Sequence, residues 1–396
     1  MTQGQTTQLS LLMFIILGAI GALTPLAIDM YLPAMPSIAK ELGVDAGAVQ
    51  ITLTTYTAGF AIGQLLHGPL SDSFGRRPIL IIGIALFAVG SVVCAVTTDI
   101  ESLKYVRAAQ GFSGAAAAVI IQAVVRDMFD KEDFARTMSF ITLVMMVAPL
   151  IAPMLGGHLA EWFGWRSIFW VLTLVSVLVI TAVLWKIPET LAPEKRQPFR
   201  LKTTMQNYLR LCTNPVAVGL IFSGAFSFSG MFAFLTAGSF VYIDIYGVEP
   251  SHFGYLFGLN IICLTIMTSV NGRIVKKMGS KWMLAFGISV QLIAGIALFF
   301  GWLADIGLWG IVPFIMLYIG MMSTIGSNSM ALLLTNYPSM AGTASSLAGT
   351  LRFGTGSVVG VIVAMLPSDS AWPMILVMTL CAVFSAILYW FLGRKV

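Results

Sequence analysis

Gly68-Pro-Leu-Ser-Asp-Ser-Phe-Gly-Arg-Arg-Pro78 compresses two glycines, a carboxylate and paired arginines into a link between two apolar stretches. Gly68 and Gly75 permit close helix approach and unusual backbone angles. Asp72 is placed either to cap a neighbouring helix N-terminus or to pair with Arg76 or Arg77. On charge alone, a topogenic loop with its charges in water explains the segment equally well. A weak second copy, Gly272-Arg-Ile-Val-Lys-Lys-Met-Gly-Ser280, lies 204 residues further on, with Gly272 and Gly279 answering Gly68 and Gly75 and Lys276 answering Asp72. The chain therefore reads as two similar halves.

Outward from that link the sequence is greasy. Of 396 residues, 58% are hydrophobic and 10% charged, where a soluble domain carries about 25% charge. Twelve apolar stretches of roughly spanning length follow one another, at about 9–32, 49–70, 78–97, 102–125, 137–159, 166–187, 214–242, 252–272, 281–302, 307–333, 342–366 and 371–392. A bilayer core needs ~20 residues per helix. The expected class is an all-α polytopic membrane protein of twelve transmembrane helices in two six-helix bundles, 1–187 and 214–396, joined by a polar central loop over 188–213.

The net charge of +5 does not point to nucleic acid. With both termini cytoplasmic, seventeen of the 22 Lys and Arg fall on the cytoplasmic side, and only Lys40, Lys104 and Arg166 lie outside. That asymmetry is an orientation signal. The head, Met1 to Ser10, has no basic side chain, so no cleavable signal peptide is expected. Cys94, Cys212, Cys263 and Cys381 have no metal or redox spacing, and His67, His158 and His252 show no ligand pattern. No metal and no cofactor are expected.

Sixteen of the seventeen carboxylates fall in loops or at span edges, and the exception is Asp29 in the first span. An ionisable group in hydrocarbon costs a few kcal/mol or more and usually persists because it binds an ion, proton or substrate. Arg107, in span four, has no charge three or four residues away to neutralise it, and it sits at similar depth. Pairing it with Asp29 is the economical expectation; snorkelling to the interface is the plainer one. Span five carries Pro149, Pro153, Gly156 and Gly157, which by themselves predict a kinked, closely packed helix. Arg352 lies near the middle of span eleven without a nearby acid, so it either contacts substrate oxygens or braces the second half. Tyr56, Gln110, Phe232, Asn260 and Asn328 are candidates to line a cavity, although each alone suits packing or an interhelical hydrogen bond.

Several of these landmarks together resemble one family. GPLSDSFGRRP resembles the signature between spans two and three of the major facilitator superfamily. The resemblance implies a cytoplasmic charge network in which Asp72 and Arg77 act as a gate with Asp127, and in which Gly68, Gly75 and Arg76 fit the same pattern. Arg107-Ala-Ala-Gln-Gly111 resembles the fourth-span motif, whose arginine is implicated in proton transfer. The span-five pattern resembles that of drug/proton antiporters, with Ala148 standing at the first glycine position. With Ile28 to Pro36, Trp165-Arg166 and Ala341 to Gly354, the whole chain resembles the bicyclomycin-resistance branch of those antiporters.

That resemblance implies a proton-coupled efflux antiporter of the bacterial inner membrane, exporting bicyclomycin-like and other small amphipathic antibiotics by alternating access. Asp29 and Arg107 would couple protons, and both would also face substrate with Tyr56, Gln110, Phe232, Asn260, Asn328 and Arg352. The expected partners are a small-molecule drug, protons and the lipid bilayer, with the protein a monomer. An uptake symporter of the same fold is the competing expectation. A membrane enzyme is disfavoured, because no nucleophile, metal set or paired acids occur within the spans.

Overall fold

The computed structural model describes residues 11–129, 131–196, 201–367 and 369–395; the head Met1 to Ser10, and Pro198 and Arg200 of the central loop, lie outside them. The described residues form fourteen α-helices and no strand. In the first half these are α1 (Leu11–Asp29), α2 (Met35–Leu42), α3 (Ala46–Phe74), α4 (Arg76–Val96), α5 (Ile100–Met128), α6 (Lys131–Phe163) and α7 (Arg166–Lys186). In the second they are α8 (Leu201–Cys212), α9 (Pro215–Phe240), α10 (Pro250–Met278), α11 (Ser280–Leu303), α12 (Gly307–Asn336), α13 (Ala341–Ala364) and α14 (Trp372–Phe391).

Among the described residues, eleven helical rods are long and apolar enough to cross a membrane. The twelfth is α3, 29 residues long. Its Gln50, Thr52, Thr54, Thr57 and His67 dilute its hydropathy, but they are buried against protein. Lipid-facing surface falls elsewhere, for example on the exposed row Ile82, Leu86, Val89 and Val93 of α4. The central loop is not merely polar chain, because it contains the separate helix α8.

The repeat seen in the sequence is also a repeat of elements. α3 and α10 both have 29 residues, and both end on a glycine with positive φ, Gly75 at 106° and Gly279 at 81°. Such angles suit residues lacking a Cβ. The link between α3 and α4 is therefore a single residue, shorter than the sequence suggested, because Gly68 to Phe74 is still helix.

α1 and α3–α7 pack as one bundle and α9–α14 as another, joined mainly along α3 against α13 and α6 against α10. In the first seam Gly47 meets the Ala364 carbonyl, the Ser357 hydroxyl donates to the Thr54 carbonyl at 2.8 Å, and the Phe60 and Phe353 rings lie 4.5 Å apart. In the second, a Cβ on Gly157 would come within 2.6 Å of the Pro250 carbonyl oxygen, and one on Gly254 within 2.6 Å of the Met154 nitrogen. Small residues let these antiparallel backbones touch.

Candidate functional site

Asp29 is the last residue of α1 and only 6% exposed. The helix breaks there. A short 3-10 turn over Leu32–Ala34 intervenes before α2 restarts, with Pro33 and Pro36 each removing a backbone donor. The apolar rod nevertheless continues to Leu42. The first span was expected to end at Leu32, so Asp29 lies deeper than expected, at an interior discontinuity of the rod.

Arg107, completely buried on α5, shares this region but forms no ion pair with Asp29. Its terminal nitrogens donate to Gln110 Oε1 at 2.6 Å and to the Ala27 carbonyl at 3.2 Å. The guanidinium carbon lies 4.4 Å from the ring centre of Tyr56, 4.7 Å from Tyr31 and 5.7 Å from Phe169. Aromatic faces and a carbonyl freed at the end of α1 therefore take the place of the expected carboxylate. Gln110 passes the contact on, its Nε2 donating to Ser91 Oγ at 2.7 Å. Tyr31 was missed by sequence reasoning; its place two residues after Asp29 was the available signal.

The glycine of the fourth-span motif has a separate task. A Cβ at Gly111 would overlap the Tyr56 carbonyl, and one at Gly59 would overlap that of Ala108. α3 and α5 are thus in backbone contact beside the cage, which fixes Tyr56 relative to Arg107. In α6, Gly156 abuts the Met30 carbonyl while Gly157 abuts Pro250 of the other bundle. Pro149 and Pro153 both lie inside that helix.

At the opposite end, the charge network is centred on Arg76 rather than Arg77. Arg76 reaches Asp72 at 2.5 Å, Asp127 at 3.3 Å and the Ser71 hydroxyl at 2.8 Å. Arg77, about 100° further round α4, instead donates to the Leu184 carbonyl at 2.7 Å. Gly68 approaches nothing closely, since a Cβ there would stand 3.8 Å from Val119. Glu189, also missed, caps α4 by accepting from the backbone nitrogens of Arg76 at 3.0 Å and Arg77 at 3.3 Å. The adjacent Thr190 donates to Asp127 at 3.3 Å, tying the start of the central loop to the cluster.

The remaining candidates fall into distinct surroundings. Asn328 is committed to neighbouring helix groups, donating to Asn271 Oδ1 at 2.7 Å and to the Thr324 carbonyl at 2.8 Å. It belongs to a polar ladder between α10 and α12 that also joins Thr268 to Ser323 at 2.7 Å. Asn260 is 1% exposed, and neither its Oδ1 nor its Nδ2 has a partner. Phe232 packs against Phe228 and Phe353 in tilted and edge-on contacts, at 5.2 and 6.0 Å between ring centres. Arg352 lies over Phe228, 5.4 Å from its centre. The structure thus gathers Asp29, Arg107, Tyr56 and Gln110 in one place, Phe232 and Arg352 in a second, and leaves Asn328 in a third.

The Major Facilitator Superfamily profile matches residues 17–361. The chain is 42% identical to the bicyclomycin resistance protein homolog of Haemophilus influenzae, covering 98% of each. It is 31% identical to the chloramphenicol resistance protein of Pseudomonas aeruginosa, over 91% of this chain and 86% of that one. It is 27% identical to multidrug resistance protein D of Escherichia coli, over 93% of this chain and 92% of that one. Among solved structures, a D-xylose-proton symporter superposes with a TM-score of 0.74 at 16% identity, over 94% of this chain and 96% of that one. At that identity the likeness concerns the fold alone. Twelve long helices in two six-helix bundles, the two seams and a profile spanning most of the chain agree: this protein is a multi-pass membrane transporter belonging to the Major Facilitator Superfamily.

Proposed function

We propose that this transporter exports small amphipathic antibiotics, bicyclomycin-like molecules among them, in exchange for protons. The observation that carries the reading is the position of Asp29, a buried carboxylate at a helix break, beside an Arg107 held by aromatic faces instead of by that carboxylate. A buried guanidinium and a buried carboxylate in the same bundle, the one holding the Ala27 carbonyl and the other two residues beyond it, should attract strongly when both are charged. Their separation fits a state in which Asp29 carries a proton.

Loss of that proton leaves a carboxylate next to a caged cation. Arg107 then gains by leaving the Ala27 carbonyl for Asp29, which pulls on the end of α1. Because Met30 sits against Gly156, the movement passes to α6 and across the Gly157 contact to α10. The two bundles, 1–187 and 214–396, rock about the seams, in the manner of secondary transporters with repeated halves. With both termini cytoplasmic in a bacterial inner membrane, as the Lys and Arg distribution favours, the seams close the periplasmic end and the Asp72–Arg76–Asp127 cluster lies at the cytoplasmic end. Each proton entering draws on about 2.3 kcal/mol per 100 mV of membrane potential.

The resistance names of the relatives support export over uptake. The decisive test is drug export from energised cells expressing wild type or Asp29→Asn. Uphill export should vanish in the variant while drug exchange down a gradient survives. Full uphill export by Asp29→Asn would remove Asp29 from the coupling step, and net inward transport by wild type would replace antiport with symport.

A further inference from the structure

Arg352 takes no part in the proton scheme, yet it is the cation most in need of explanation. It sits in the interior of α13, and among the described residues no carboxylate lies within ion-pair distance of it. A guanidinium held in a membrane domain without a counter-charge is costly unless something else supplies one. One face is covered by Phe228. Another lies against α12, where Gly326 has no side chain: a Cβ there would come within 3.1 Å of an Arg352 terminal nitrogen.

Beside it is a small gap, with room for about one water, walled by α9, α12 and α13, with Gly224, Ser329, Ala348 and Arg352 among its lining residues. Gly224 keeps this space open, since a Cβ there would stand 2.9 Å from the Ser329 hydroxyl. On the other side of Arg352 the rings of Phe60, Phe353, Phe228 and Phe232 form a continuous cluster, with neighbouring centres 4.5, 5.1 and 5.2 Å apart; Phe228 and Phe353 are its partly exposed face, and Phe60 and Phe232 are buried behind them. Phe60 belongs to the first bundle and the other three to the second, so the cluster crosses the seam. Two further buried polar atoms near this seam have no partner, Gln64 Oε1 on α3 and Thr350 Oγ1 on α13.

We infer that Arg352 is the anchor of a substrate subsite for flat apolar molecules bearing an anionic oxygen group, a carboxylate or sulfonate. The guanidinium fork matches such a group with two parallel hydrogen bonds, and the aromatic cluster takes the apolar body. An uncompensated cation at the anchor should discriminate against permanently cationic molecules of the same shape. This inference deepens the export reading and rests on it only for calling the ligand a substrate.

The test is equilibrium binding to purified protein in lipid nanodiscs without any gradient, so it is independent of whether Asp29 drives export. The probes are naphthalene-2-sulfonate, 2-naphthalenemethanol and 2-naphthalenemethylammonium, which share one ring system and differ in charge. Wild type should bind the sulfonate at least tenfold more tightly than the ammonium. Arg352→Gln should abolish that preference, whereas Arg352→Lys should keep part of it, with thermal unfolding checking the fold of each. Equal wild-type affinities for the three probes would overturn the inference, as would an undiminished preference in Arg352→Gln. If Arg352→Gln does not fold, the wild-type series and Arg352→Lys decide: a partly reduced preference in Arg352→Lys supports the inference, and an undiminished one overturns the role of the guanidinium fork.

Discussion

Gly156 of α6 packs so closely on the backbone of Met30 that a single added methyl would overlap the Met30 carbonyl oxygen. Met30 directly follows the helix break at Asp29, so the span-five glycine and the buried carboxylate are mechanically adjacent. The clash is with backbone, which cannot rotate away as a flexible side chain would. Gly156→Ala should therefore cost about 1–3 kcal/mol of stability and reduce drug export at least tenfold. Gly157→Ala, which presses on Pro250 of the other bundle, should harm export as much, because it separates the seam. Thermal unfolding with vesicle transport checks both, and a fully active Gly156→Ala would sever the link drawn between α6 and Asp29.

The cage around Arg107 makes a different expectation. Replacing Tyr56 by Leu removes the nearest aromatic face, 4.4 Å away, and should weaken the proton-loaded arrangement by about 1–2 kcal/mol. Tyr56→Phe keeps the face and should retain most export. Drug export by the two variants at matched expression separates them; equal loss in both would assign the effect to the hydroxyl rather than to the ring.

Arg76 and Arg77 should not be equivalent. Arg76 is 5% exposed and bridges Asp72 and Asp127, so Arg76→Ala should lose about 2 kcal/mol or more. Arg77→Ala forfeits one hydrogen bond to the Leu184 carbonyl and should cost about 1 kcal/mol. Unfolding midpoints in one detergent rank the two, and a larger loss for Arg77 would contradict the geometry.

Glu189 offers the same kind of test from the central loop. Its carboxylate accepts from the first backbone nitrogens of α4, where negative charge is favoured by the helix dipole. Glu189→Ala should cost about 1 kcal/mol and increase protease cleavage within the central loop, whereas Glu189→Asp should recover part of the protection. Unchanged cleavage kinetics would show that the loop is held by something else.

Much of this was legible before any coordinates. Twelve spans, the two halves, the 204-residue repeat and the singular character of Asp29, Arg107 and Arg352 all follow from where charge is tolerated in an apolar chain. Local sequence could not say which partner each charge finds. Arg107 has a terminal nitrogen on the Ala27 carbonyl, Arg76 displaces Arg77 from the gate cluster, and Asn328 is consumed by Asn271; each outcome depends on helix rotation and on a neighbour 50 or more positions away. The helix break that places Asp29 inside a longer rod was hidden because Pro33 and Pro36 look like an ending.

The sequence by itself determined that this chain is a membrane-spanning two-bundle protein, because apolar stretches of about 20 residues are the length of spanning helices, which satisfy every backbone group internally in lipid. Only the tertiary structure decided how its few buried charges are accommodated. That choice is made by side chains from different helices meeting at angstrom distances, and small residues such as Gly111 and Gly156 set those distances by letting the backbones touch.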